Sequence, residues 1–101
     1  MRRRGPWSLL FLLLIAGCGR PPQLGADEAS FKAVDALYTA VGLRDVAALD
    51  RSAATLDGLR AAGKLPDAAA DALTRVVAEA KSGAWESAQT RLGTFMEGQR
   101  R

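Results

Sequence analysis

Histidine is absent from this 101-residue chain, and cysteine occurs once, at Cys18. With a single thiol no disulfide can form within the chain. Zinc and copper sites built on His or Cys are excluded, which leaves only oxygen-ligand ions such as calcium or magnesium. General acid–base chemistry near neutral pH loses its usual agent. Aromatic residues make up only 6% of the chain, and two of them, Trp7 and Phe11, lie in an N-terminal apolar run. That run is about ten residues, roughly 15 Å as a helix, while a bilayer core needs about twenty. A basic surface is lacking too. The formal charge of +3 is carried by Arg2, Arg3 and Arg4, and the rest of the chain holds 11 Lys+Arg against 11 Asp+Glu. Nucleic-acid binders need a basic stripe to displace counterions from phosphates, so that class is excluded, and Arg100–Arg101 reads as a solvated tail.

What is present begins with a targeting pattern. Three arginines precede Gly5-Pro6 and then Trp7-Ser8-Leu9-Leu10-Phe11-Leu12-Leu13-Leu14-Ile15, a basic segment followed by a short apolar one, as in export signals. The arginines would stay on the cytoplasmic side while the apolar segment inserts. The next residues, Ile15-Ala16-Gly17-Cys18, resemble the lipobox of bacterial lipoproteins: an aliphatic residue, two small residues and Cys. The resemblance implies cleavage between Gly17 and Cys18, a diacylglyceryl thioether on Cys18, and further acylation, commonly with palmitate, of the new amino group. Two or more acyl chains anchor a protein stably. In such lipoproteins an Asp after the Cys tends to retain the protein in the inner membrane. Gly19 therefore points to the periplasmic face of the outer membrane where the source has two membranes.

Residues 18–26 form the lipidated Cys and a Pro-containing tether. Arg20-Pro21-Pro22-Gln23-Leu24-Gly25-Ala26 lacks apolar periodicity, and its Pro pair favours an extended spacer. Stretched out, residues 19–26 span at most roughly 28 Å.

Residues 27–98 read as an all-α domain, a small bundle of about four helices in two hairpins, followed by a basic tail at 99–101. The first helix has Asp27 as N-cap and an inner face of Phe31, Val34, Tyr38 and Val41, with Leu37 beside them. The second follows Asp45 and buries Val46, Leu49, Ala53, Leu56 and Leu59. The third starts around Leu65-Pro66-Asp67, with Pro in the first turn and Asp67 as a capping residue. It turns Ala69, Leu73, Val76, Val77 and Ala80 inward. The fourth runs from about Ala84 to Glu97 over Trp85, Ala88, Leu92 and Phe95. Gly42, Gly63, Gly83 and Gly98 stand where left-handed helix ends are expected. Gly58 and Gly93 fall inside helices, as close crossings or weak points. A core of about 72 residues is near the lower limit for a self-standing domain, so a partner or a second copy could complete it.

Two stretches share the pattern Gly, two residues, acid, one residue, Ala: Gly42 to Ala47 and Gly83 to Ala88. The second resembles the turn of a tetratricopeptide repeat, with Gly83, Trp85 and Ala88 in the matching positions and Leu92 and Phe95 continuing the spacing. The match covers about a dozen residues, and Arg44 and Arg75 depart from the family's pattern. The chain offers no activated nucleophile. Its hydroxyls have no His base, and Asp71 precedes Arg75 by one helical turn, a solvent-facing pair. No enzymatic activity, cofactor or metal is expected. The sequence leads to a membrane-anchored interaction or scaffold module of the cell envelope, with an envelope protein as partner. Phe31, Tyr38, Trp85 and Phe95 are the side chains best able to anchor such a contact. A pilotin-like chaperone of a secretion component, or a structural lipoprotein without a defined ligand, fits the same residues.

Overall fold

The computed structural model describes residues 22–25 and 27–99. The expected signal segment with Gly17 and Cys18, and the terminal pair Arg100–Arg101, lie outside the described residues. Four helices follow one another: α1 (Glu28–Leu43), α2 (Val46–Ala61), α3 (Asp67–Lys81) and α4 (Trp85–Glu97). No strand occurs among the described residues, and no helix there is long and apolar enough to cross a membrane. Each helix packs on its chain neighbours, and α1 also packs on α4, which closes the four into a ring. The short connections make neighbours antiparallel. One end of the bundle therefore carries the turns at 43–46 and 82–85, and the other carries the turn at 62–66 and both ends of the described chain.

The inner faces follow the 3.6-residue period. Leu37, Leu49, Leu73 and Leu92 are fully buried at the centre, with Val34, Val41, Val76 and Val77 around them. Ala33, Ala40, Ala69, Ala70, Ala80 and Ala88 fill the places where the helices come close. The expected inner face of α3 is the observed one. Those of α1 and α2 need correction. On α1 the buried stripe is centred on Leu37, which turns Tyr38 to its edge, 39% exposed. On α2 Val46 is 57% exposed, because it is the first residue of the helix and projects beyond the end of the core.

The helix ends show where local chemistry was read correctly and where it was shifted. Asp27 and Asp45 cap α1 and α2, their carboxylates accepting from Ser30 N and Ala48 N. The third helix is capped instead by Pro66, without a side-chain hydrogen bond; Asp67 is its first residue, where a carboxylate favours the helix dipole. All three turns between helices close by paired hydrogen bonds of the Schellman type, such as Ala84 N to Glu79 O and Gly83 N to Ala80 O. The left-handed residue in these turns is Arg44, Gly63 or Gly83, with φ of 54°, 77° and 93°. Gly42 lies inside α1, and Gly98 has φ of −85°, so neither serves as a left-handed cap. The two echoing stretches are consequently out of register. Gly83 is the left-handed residue of its turn, whereas in the first copy that place falls two residues later, on Arg44. Asp45 caps a helix from outside, whereas Glu86 lies within the first turn of α4.

A left-handed conformation costs an L-residue roughly 1–2 kcal/mol relative to glycine. Arg44→Gly should therefore stabilise the bundle by about 1 kcal/mol, read as a raised urea midpoint at unchanged slope. An unchanged or lowered midpoint would show that the Arg44 side chain compensates for its backbone. Gly58 and Gly93 are not close crossings: a Cβ at either would meet nothing within 4 Å. They are weak points of their helices.

The tether also needs correction. Leu24 is 1% exposed, packed into the main core, although nothing periodic surrounds it. Gln99 holds the same segment by its side-chain amide. Its Nε2 donates to Pro22 O and to Phe95 O, both at 2.9 Å, and its Oε1 accepts from Leu24 N at 2.7 Å. Gln23 Nε2 donates to Gly98 O at 2.9 Å. Two of these bonds, to Phe95 O and Gly98 O, satisfy carbonyls left open at the end of α4. Pro22–Leu24 is thus a strap belonging to the domain, and Gln99 is its clasp and not part of a solvated tail.

Candidate functional site

The four side chains singled out from the sequence separate into different roles. Phe95, in the last turns of α4, is 4% exposed and is part of the core. Phe31, in the first turn of α1, is half-buried and packs on that core from the same end. Tyr38 and Trp85 belong to the other half of the bundle. Trp85 opens α4, half-buried, with its ring over the core. The structure does not bring the four into one patch.

Around Trp85 it assembles a different set. Trp85 and Val46 line one hollow with Ala80, Gly83, Asp50 and Lys81, where the turn at 43–46 meets the turn at 82–85. Leu43, across the first of these turns, is 71% exposed. Leu43, Val46 and Tyr38 are the large exposed apolar side chains among the described residues. All three lie in the half of the bundle capped by these turns. Leu43 and Val46 flank the first turn, and Val46 shares its hollow with Trp85 beside the second. Sequence reasoning missed Leu43 and placed Val46 inside. The available signal was position: an apolar residue directly before or after an interhelix turn has no facing helix to cover it.

A hollow of about 880 Å³ forms a groove between α3 and α4. Ala68, Ala72, Val76, Phe95 and Pro22 contribute its apolar lining, and Asp71, Arg75, Glu86 and Arg91 its charges. Two of these charges are already engaged. Arg91 Nε and Nη2 bind Glu79 Oε1 and Oε2 at 2.9 and 3.0 Å. Asp71 pairs across to Arg60 Nη2 on α2 at 3.3 Å, and not with Arg75 one turn along its own helix. Arg60 also binds Asp67 at 3.1 Å, and Lys81 binds Asp50 at 3.1 Å, so ion pairs stitch α2 to α3 as Glu79 stitches α3 to α4. Apart from the partly covered Glu79 these side chains are exposed, and each pair contributes little. Among the described residues no cluster of three or more His, Cys, Asp or Glu could hold a metal ion.

The Arg91 hydrogen bond, with the charges of Arg91 and Arg75 and the Ser87 hydroxyl, holds the Glu79 carboxyl below its ordinary pKa of 4.5 against some desolvation. The folded-state value being the lower, the pair contributes in full above about pH 4.5 and progressively less as pH falls towards the lowered value. Glu79→Gln should flatten the acid limb of the stability–pH profile below that point, more at low salt than at high. Parallel profiles for variant and wild type would remove the pair from the acid response.

Ser30 is a further residue that composition did not single out. Fully buried, it donates from Oγ to Lys64 O at 3.0 Å and so ties the 62–66 turn to the first turn of α1. Compared with protein-family models, curated proteins and solved structures, the chain matches none.

Proposed function

We propose that this chain is a lipid-anchored protein of the bacterial cell envelope, held in the membrane by acyl groups on Cys18 and presenting its helical bundle to an envelope protein. The observation that carries the reading is Ile15-Ala16-Gly17-Cys18, placed directly after a basic and then Leu-rich segment. Gly19 favours the periplasmic face of the outer membrane in a two-membrane source. The bundle supports a binding role over a catalytic one. The ion pairs among its described residues join helices, and the exposed apolar Leu43 and Val46 flank the turn at 43–46.

The contact surface in this reading is Leu43, Val46 and Trp85, with Tyr38 at its margin. A photo-crosslinking residue at Leu43, in the acylated protein in intact cells, should trap one defined envelope protein, and Val46→Asp should abolish the adduct. Both positions are exposed, so the bundle should keep its melting temperature. No adduct beyond lipid would replace this reading with that of a structural lipoprotein lacking a protein ligand, and a protein adduct unaffected by Val46→Asp would remove Val46 from the contact surface.

A further inference from the structure

The strap has a consequence for how the bundle stands on a membrane. If Cys18 were joined to the domain only through a free spacer, the eight residues 19–26 would reach roughly 28 Å. That exceeds the length of α1, whose 16 residues span about 24 Å. Either end of the bundle could then meet the bilayer. The chain is instead fastened at Pro22–Leu24 by Leu24's burial and by the hydrogen bonds to Gly98 and Gln99. Only four Cα-to-Cα steps separate Cys18 from Pro22, and whatever their conformation they cover at most roughly 14 Å.

We infer that the Pro22–Leu24 strap orients the protein on a lipid surface: the end bearing the 62–66 turn and Gln99 faces the bilayer, and the end bearing Leu43, Val46 and Trp85 faces away. The inference rests on the proposed acylation of Cys18. The strap is bound at the same end as the 62–66 turn, since α4 ends there and Ser30 joins that turn to the start of α1. Charge gives no competing pull. Beyond Arg4 the basic and acidic residues are equal in number, so the bundle as a whole carries no net charge to draw it onto anionic headgroups. The apolar cluster is thus held about one helix length from the strap, turned toward whatever lies beyond the membrane surface.

The test uses the full acylated protein in phosphatidylcholine–phosphatidylglycerol vesicles containing headgroup-spin-labelled lipid. The Cys18 thiol is consumed by the thioether, so a thiol introduced by Lys64→Cys or Ala84→Cys is the one available to a fluorophore. Both positions are exposed, one in each end turn. Quenching should be several-fold stronger at position 64 than at 84. Adding Leu24→Ala together with Gln23→Ala and Gln99→Ala, which removes both the buried side chain and the hydrogen bonds that fasten the strap, should bring the two positions near parity, with far-ultraviolet circular dichroism confirming that the bundle is intact. Equal quenching in the parent protein, while it still floats with the vesicles, overturns the orientation and leaves acylation standing. A difference that survives release of the strap assigns the orientation to another cause and also overturns it. Protein that neither carries lipid nor floats overturns both.

Discussion

Leu24→Ala should lower the stability of the bundle by about 2–3 kcal/mol, although Leu24 lies outside every helix. A buried Leu truncated to Ala costs about 2–5 kcal/mol, through lost transfer energy and the cavity left behind. Leu24 is 1% exposed and within the main core cluster. The lower part of the range applies because a strap near the start of the domain can shift to close some of the space. For a domain of this size each kcal/mol moves the melting temperature by roughly 4–8 °C, so a fall on the order of 10–20 °C is expected. The comparison is Leu43→Ala. Leu43 is 71% exposed, and its truncation should stay within about 0.5 kcal/mol of wild type. Thermal melts of the two variants decide the matter. Equal melting temperatures for both would mean that Leu24 belongs to a free spacer after all.

Cys18→Ser should have the largest effect of any single substitution on where the protein is found. Acyl chains contribute about 0.8 kcal/mol per buried methylene, and two or more hold a protein in a bilayer essentially permanently. A hydroxyl cannot form the thioether, so the variant should leave the membrane fraction or accumulate as uncleaved precursor. Raised salt should not mimic the substitution. Electrostatic attachment to headgroups is screened within about 3 Å at 1 M salt, but the residues after Arg4 carry no net formal charge to attach with. Wild-type protein that washes off membranes in salt would point to a basic surface, and against acylation.

The all-α class and four-helix count were legible because helical periodicity is a local signal that burial rewards. Leu73, Val76, Val77 and Ala80 recur at helical spacing and are all buried. Tyr38 and Val46 were misplaced for different reasons. Periodicity gives an apolar stripe but neither its centre, which falls on Leu37 and leaves Tyr38 at the edge, nor where the cover of the facing helices ends, which leaves Val46 exposed. At the helix ends, composition points to glycine for left-handed positions, yet the first turn uses Arg44 and leaves Gly42 in the helix. The backbone there is set by where α2 must start, at a cost that a glycine would have avoided. Leu24 was out of reach altogether. Its partner Gln99 is 75 residues away, and no local pattern encodes a contact at that distance. The exposure of Leu43 and Val46 could have been read from their place beside a turn, but the nearness of Val46 to Trp85 could not, since it arises where two turns distant in sequence meet.

The most direct measurement is the mass of the N-terminal peptide of the protein extracted from its native membranes. A peptide beginning at Cys18 and carrying diacylglyceryl, with or without a third acyl chain, is the expected result. A peptide that begins at Met1, or at any residue with Cys18 unmodified, would contradict it.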